Sequence, residues 1–298
     1  MQEKCYDAVV IGSGAGGMGA ILYLKRAGLS CCILEDNVVG GQLVTSAIVS
    51  NYPGIKEITG PDLAINMYKQ LKELDVEYIV GHVEEIKLEQ ELKLIVTKDK
   101  TITSHNVIIA SGRVPRKLNV LNEDKLIGRG ISYCVTCDGP LYKDKKVVVV
   151  GAGDSALEAV SYLASICKEV IVINKYDIFK GQEYLQDRMN FLDNVKILYN
   201  TNILEFGIKN DLLDTIKTDK EDFNVDGCFI FIGYTPASSP FKSLGIVNDN
   251  GYITTNNNME TSVKGIYAVG DIRDKEFFQI VTALSDGATA AMSIAKKM

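Results

Sequence analysis

Apolar residues along this chain fall into two kinds of run. Ala8 to Ile11, Cys31 to Leu34, Val147 to Val150 and Val170 to Ile173 are short and unbroken. That is the pattern of strands covered on both faces of a parallel sheet. Helices are predicted between them, from about Ala15 to Ala27 and from Ser155 to Ser165. Strand, helix, strand within about 30 residues is the βαβ unit. The chain carries it twice, in YDAVVIGSGAGGMGAILYLKRAGLSCCILED and in KKVVVVGAGDSALEAVSYLASICKEVIVINKYD. Residues 77 to 110 (VEYIVG, EEIKLEQELKLIVTKD, TITSHNVIIAS) read as an antiparallel meander, with a shorter one from about 203 to 233. The predicted fold class is α/β: two Rossmann-like, doubly wound dinucleotide-binding-type domains, each with a small antiparallel β layer.

The two glycine turns differ. Gly12, Gly14 and Gly17 form G-x-G-x-x-G after the first strand. The first glycine permits the turn, the second lets a pyrophosphate approach the backbone, and the third lets helix and strand pack closely. Glu35 ends the next strand, 18 residues past Gly17, where an acid can bind ribose hydroxyls. The second turn has Gly151, Gly153 and Ala156, and the strand after it runs into INKYDIFKG. No acid and no arginine stands there; Lys175 and Lys180 are the cations of that stretch. The nicotinamide-type frame is kept while its usual ribose and 2′-phosphate grips are missing, and lysine is a poor substitute for arginine's fork.

Composition narrows the classes. A hydrophobic share of 46% over 298 residues is enough for two ordinary cores. A net charge of −6 argues against a nucleic-acid binder. No apolar run approaches the roughly 18 residues of a membrane span. The N-terminal stretch lacks a small-residue cleavage site, so a cytoplasmic chain is expected. The seven cysteines, at 5, 31, 32, 134, 137, 167 and 228, are scattered, which argues against a secreted disulfide framework.

Cys134 and Cys137 stand out as C-x-x-C followed by Asp138. Zinc needs four ligands, and one such pair supplies two. His82 and His105 lie in the predicted meander and read as surface or packing residues. A redox pair is the leading reading, with a zinc half-site and an inert buried pair as the alternatives. Two intervening residues let both sulfurs meet across one turn, and a nearby helix start favours a thiolate. Asp138 can protonate a departing thiolate or cap a helix.

With these motifs in place, the chain resembles the low-molecular-weight thioredoxin reductase family along essentially its whole length. The matching stretches are GSGAGGMGA, GGQL at 40 to 43, NYPG at 51 to 54, IIASG at 108 to 112, CVTCDG at 134 to 139, VGAGDSALEA at 150 to 159 and GIYAVGDI at 265 to 272. The resemblance implies FAD, a homodimer, and an FAD domain of residues 1–115 with 245–298. It implies a nicotinamide-domain-like lobe of residues 116–244 carrying the cysteines, with hinges near 113 to 117 and 240 to 246. FAD contacts are implied for Gly12, Gly14, Gly17, Glu35, Gln42, Asn51, Gly270 and Asp271, with Gln279 and Ile280 near the flavin. It further implies that Cys137 faces the flavin, that Cys134 exchanges with a thioredoxin disulfide and that Asp138 is the general acid.

Two departures bear on the electron donor. Members using NADPH carry His-Arg-Arg after the second βαβ strand and another arginine soon after; here Asn174, Lys175, Tyr176 and Lys180 occupy those places. The usual Arg-Gln-Ala near the C-terminus is Phe278, Gln279 and Ile280. Both resemble the ferredoxin-dependent flavin thioredoxin reductases, so reduced ferredoxin is the expected donor. Ferredoxin clusters near roughly −400 mV and thioredoxin near about −270 mV leave about 130 mV, on the order of 6 kcal/mol for two electrons. An acidic ferredoxin would need a basic patch, for which Lys143, Lys145 and Lys146, or Arg113, Arg116 and Lys117, are candidates. The alternatives are an NAD(P)H-dependent reductase with an atypical pocket, and an FAD protein whose cysteine pair is a redox sensor.

Overall fold

The computed structural model describes residues 4–46, 48–189 and 191–298. It divides into two compact units, Met1–Val114 with Thr235–Met298, and Pro115–Tyr234.

In the first unit the parallel strands lie in the order Glu77–Val80, Cys31–Glu35, Cys5–Ile11, Thr101–Ile109 and Ile266–Ala268. Val10 sits opposite both Ile33 and Ile108, and Ile108 opposite Tyr267. These residues are fully buried. Each buried Val or Ile side chain stabilises by about 1.5–3 kcal/mol relative to exposure, so the apolar runs fix the register. Val83–Glu89 and Leu92–Thr97 pair antiparallel, the latter with the first residues of Thr101–Ile109.

The 77–110 segment therefore splits. Its first strand, Glu77–Val80, is the edge of the parallel layer and pairs with Cys31–Glu35. The chain reaches that edge through the helix Gly60–Lys72, which Thr59 caps by accepting from the Asp62 N–H and which has Pro61 in its first turn. The closing helix, Ile280–Lys297, packs on Ala15–Arg26. A Cβ on Gly287 would collide with the Gly16 carbonyl and the Ala20 N–H, so the two backbones meet at these small residues.

The second unit holds a wholly parallel five-stranded sheet, ordered Val195–Leu198, Glu169–Ile173, Lys146–Val150, Gly227–Ile230 and Ile131–Ser132. Ile203–Lys209, Leu212–Thr218 and Asp222–Asn224 form its antiparallel layer. Two doubly wound sheets with antiparallel layers are what the sequence pattern predicted.

The second crossing differs from the expected 244/245 boundary. Residues 235 to 244 belong to the first unit, because Phe241 is 1% exposed in its core and Ser238 Oγ donates to the Gly251 carbonyl at 2.6 Å. The crossings lie at 114/115 and 234/235.

Candidate active site

In the first unit the strand order reverses between Cys5–Ile11 and Thr101–Ile109. Ligands of open α/β sheets bind at such switch points, outside the carboxyl ends of the strands. Gly12 leaves the first of these strands with φ +100°, and a Cβ on Gly17 would collide with the Gly12 carbonyl. Gly14 caps the helix Ala15–Arg26 with no side-chain hydrogen bond, and a Cβ on it would meet only Gly40 O, at 4.0 Å. A helix start without a side-chain cap, with space beside Gly14, suits a pyrophosphate. Glu35 Oε2 accepts from Ser13 N and Ser13 Oγ, both at 2.7 Å, and Oε1 from Asn37 N at 2.9 Å. These residues fit the dinucleotide end of FAD.

The remaining expected cofactor residues form two linked groups. Gln42 Nε2 donates to the Arg113 carbonyl at 3.0 Å, and Arg113 Nη2 donates to Asp271 Oδ2 at 2.8 Å. Asn51 Nδ2 donates to Gln279 Oε1 at 3.1 Å. Gln279 is the N-cap of the closing helix, in a capping box with Thr282, and Ile280 is that helix's first residue. Gly270 turns with φ +73°, and its N–H donates to Asp286 Oδ2 at 3.0 Å.

Arg113 and Asp286 are absent from the expected site residues. Asp286 is 8% exposed and pairs with Arg273 at 2.8 Å and Lys275 at 3.1 Å. A lone acid in the apolar run VTALSDGATAA was the available signal. Two cations and a backbone N–H compensate its burial; removing such a partner strands a buried charge.

In the second unit Cys134 and Cys137 are joined by a disulfide, with Cα atoms 5.4 Å apart. Cys134 is the N-cap of the short turn Val135–Asp138, and its sulfur accepts from Cys137 N at 3.1 Å. An N–H aimed at a sulfur favours its thiolate. Ser132 is buried and brackets this residue: its Oγ accepts from Cys134 N at 3.0 Å and donates to Cys134 O at 3.2 Å. A Cβ on Gly139 would collide with the Tyr162 ring. Asp138 precedes the 3-10 turn Gly139–Tyr142 without a side-chain cap bond, so the capping reading of this acid is not realised. Cys137 is exposed and Cys134 partly so.

Cys31, Cys32, Cys167 and Cys228 are buried. Burial pushes the Cys31 thiol up to about 11, Cys32 to about 12 and Cys167 to about 11, and raises Cys228 as well. Both histidines are exposed, and no metal-binding cluster occurs among the described residues.

The second glycine turn keeps its frame. Gly151 has φ +149°, and a Cβ on it would collide with the Phe231 carbonyl, while nothing lies within 4 Å of a Cβ on Gly153. Lys180 N and Gly181 N both donate to Ala152 O, at 2.7 and 3.1 Å, and Asp154 accepts from Gln182 N at 2.7 Å. Asn174 is fully buried. Its side chain closes the following turn, accepting from Tyr176 N and donating to the Ile178 carbonyl, each at 2.9 Å. Lys180 Nζ lies 3.6 Å from the Tyr176 ring centroid. Three of the six candidate basic-patch residues are in ion pairs: Arg113 with Asp271, Lys117 with Asp124 and Lys146 with Glu169.

Two dinucleotide-binding folds, one carrying a closed C-x-x-C pair, define a disulfide oxidoreductase. The chain matches the pyridine nucleotide-disulphide oxidoreductase family over residues 6–287. It is 42% identical to the thioredoxin reductase of Bacillus subtilis over 98% of this chain and 95% of that one. The structure of Lactococcus lactis thioredoxin reductase matches with TM-score 0.90 at 34% identity, covering 98% of each chain. A ferredoxin-flavin thioredoxin reductase of Clostridium acetobutylicum matches with TM-score 0.55 at 27% identity, covering 98% of each chain. The chain belongs to the pyridine nucleotide-disulphide oxidoreductases, and within them to the low-molecular-weight thioredoxin reductases, which use FAD. No described helix is long and apolar enough to cross a membrane.

Proposed function

We propose that this reductase draws electrons from a reduced pyridine nucleotide held at the second glycine turn and delivers them through FAD and Cys134–Cys137 to a thioredoxin disulfide. FAD supplies the step between a two-electron donor and the disulfide. Gly12, Gly14, Gly17 and Glu35 would hold its dinucleotide end, with Gln42, Asn51, Gly270, Asp271, Gln279 and Ile280 along the rest.

Two electrons and two protons delivered to the pair break the S–S bond into two thiols. The Cys134 thiolate, favoured by the Cys137 N–H, attacks one sulfur of the thioredoxin disulfide. The thiolate that leaves takes a proton from Asp138. Cys137 then attacks the mixed disulfide, re-forming Cys134–Cys137 and releasing dithiol thioredoxin. The observation that carries this reading is the closed cysteine pair bracketed by Ser132, in a chain alike along 98% of its length to a thioredoxin reductase.

The family description and the open Gly153 turn favour the pyridine nucleotide over ferredoxin. Reduced ferredoxin is the second reading. It is supported by Asn174, which spends its side chain on the local turn where an acid or arginine would grip a nucleotide. Anaerobic rapid mixing with NADPH, NADH or reduced ferredoxin, followed at flavin wavelengths, separates the two. Bleaching by either nucleotide at catalytic rates supports the first; bleaching by ferredoxin alone replaces it with the second. A cytoplasmic homodimer completes the proposal, and five free cysteines fit a reducing compartment.

A further inference from the structure

We infer that Arg113, which opens the short strand Arg113–Pro115, is a positioning residue for FAD, acting through Asp271 and Phe278. The inference rests on the reading that the first unit holds FAD in the switch-point crevice.

Arg113 follows Thr101–Ile109, the strand on one side of the switch point, so the topology brings it to the crevice mouth. It contacts two stretches far from it in sequence, one at Gln42 and one from Asp271 to Phe278. Gln42 holds its carbonyl at 3.0 Å. Asp271, just past the strand Ile266–Ala268, accepts from its guanidinium at 2.8 Å. Phe278, immediately before the N-cap Gln279, lies beneath it with the guanidinium carbon 3.9 Å from the ring centroid. Tyr252 packs on Phe278 in turn, with ring centroids 5.8 Å apart. Arg113 and Asp271 are 17% and 18% exposed, so the pair is only partly screened by water.

The charges explain the arrangement. FAD brings a pyrophosphate, and Asp271 alone would add a carboxylate to the same crevice. Arg113 neutralises that carboxylate and fixes its direction. Arginine is suited to the task because one planar group can pair with a carboxylate and stack on an aromatic face at once. With phenylalanine at 278, the ring becomes the platform and the charge stands on it.

The test uses purified full-length protein stripped of FAD and titrated with FAD, with binding read by flavin fluorescence and the midpoint potential measured on the reloaded protein. Arg113→Ala and Arg113→Gln are expected to weaken FAD binding at least tenfold. Both should shift the flavin potential to more negative values, because a cation has left the crevice. Arg113→Lys should lie between these and wild type, keeping the charge without the stacking plane. Arg113→Ala combined with Phe278→Arg should recover most of the lost affinity, since the charge returns from the other segment. Melting of the apo forms shows whether each variant is folded. Folded variants that bind FAD as tightly as wild type, at an unchanged potential, would overturn the inference. Wild type that takes up no FAD would overturn the cofactor reading itself.

Discussion

Ser13 donates to one carboxylate oxygen of Glu35 twice, through its N–H and its hydroxyl, each at 2.7 Å. The pair ties the first glycine turn to the end of the next strand, and on the proposed reading the same acid binds the ribose of FAD. Glu35→Gln keeps the size of the side chain and loses its charge. Hydrogen bonds to charged groups contribute about 1.5–3 kcal/mol, so FAD binding should weaken roughly tenfold or more. Titration of the apo protein with FAD measures this, and unchanged affinity would remove Glu35 from the site.

Gly17→Ala places a methyl group on the Gly12 carbonyl. Backbone cannot yield as a flexible side chain can, and overpacking typically costs 1–3 kcal/mol, occasionally more, so about 3 kcal/mol is expected. Thermal melting of the apo protein should show a drop of several degrees; an equally stable variant would mean that helix and strand are not held as tightly as this contact requires.

Much of this fold is legible because its signals are local. The strand from Ala8, the glycine turn and Glu35 lie within about 30 residues, the span of one βαβ unit. The strand Glu77–Val80 is not legible in the same way. Its alternation resembles the antiparallel strands after it, but its partner is Cys31–Glu35, reached over a separate helix. Local periodicity reports a strand, not its neighbour.

The site shows the same division. Gly12, Gly14, Gly17 and the cysteine pair declare themselves by spacing. Arg113 looks like one of several surface cations near 113 to 117, and only the fold brings it to Asp271, 158 residues away. Asn174 was legible as a missing acid or arginine. That its side chain instead closes the turn to Ile178 required the structure.

Ser132→Ala removes both hydrogen bonds that bracket Cys134. On the proposed reading FAD is held by the other unit, so its binding should be unaffected. Leaving the Cys134 N–H without its partner costs about 1–3 kcal/mol, so thioredoxin reduction is expected to slow several-fold. Steady-state rates at saturating donor check this, and an unchanged rate would show that the turn is held by other contacts.

Thiol labelling at pH 8 should separate the cysteines into two sets. After reduction, Cys134, Cys137 and the exposed Cys5 should react in the native protein. Cys31, Cys32 and Cys167, whose thiols burial raises to about 11, 12 and 11, stay protonated and shielded until denaturant is added, as does Cys228. Mass spectrometry locates the labels; rapid native labelling of Cys32 or Cys228 would contradict the buried placement.

The most direct test of electron flow bypasses the question of the donor. The FAD-loaded protein is reduced photochemically without oxygen and mixed with oxidised thioredoxin, and thioredoxin thiols are counted. Wild type should yield close to one dithiol thioredoxin for every two electrons taken up. Cys134→Ser and Cys137→Ser, each still holding FAD, should yield none. Full transfer by either variant would show that the 134/137 sulfurs are not the route from flavin to thioredoxin.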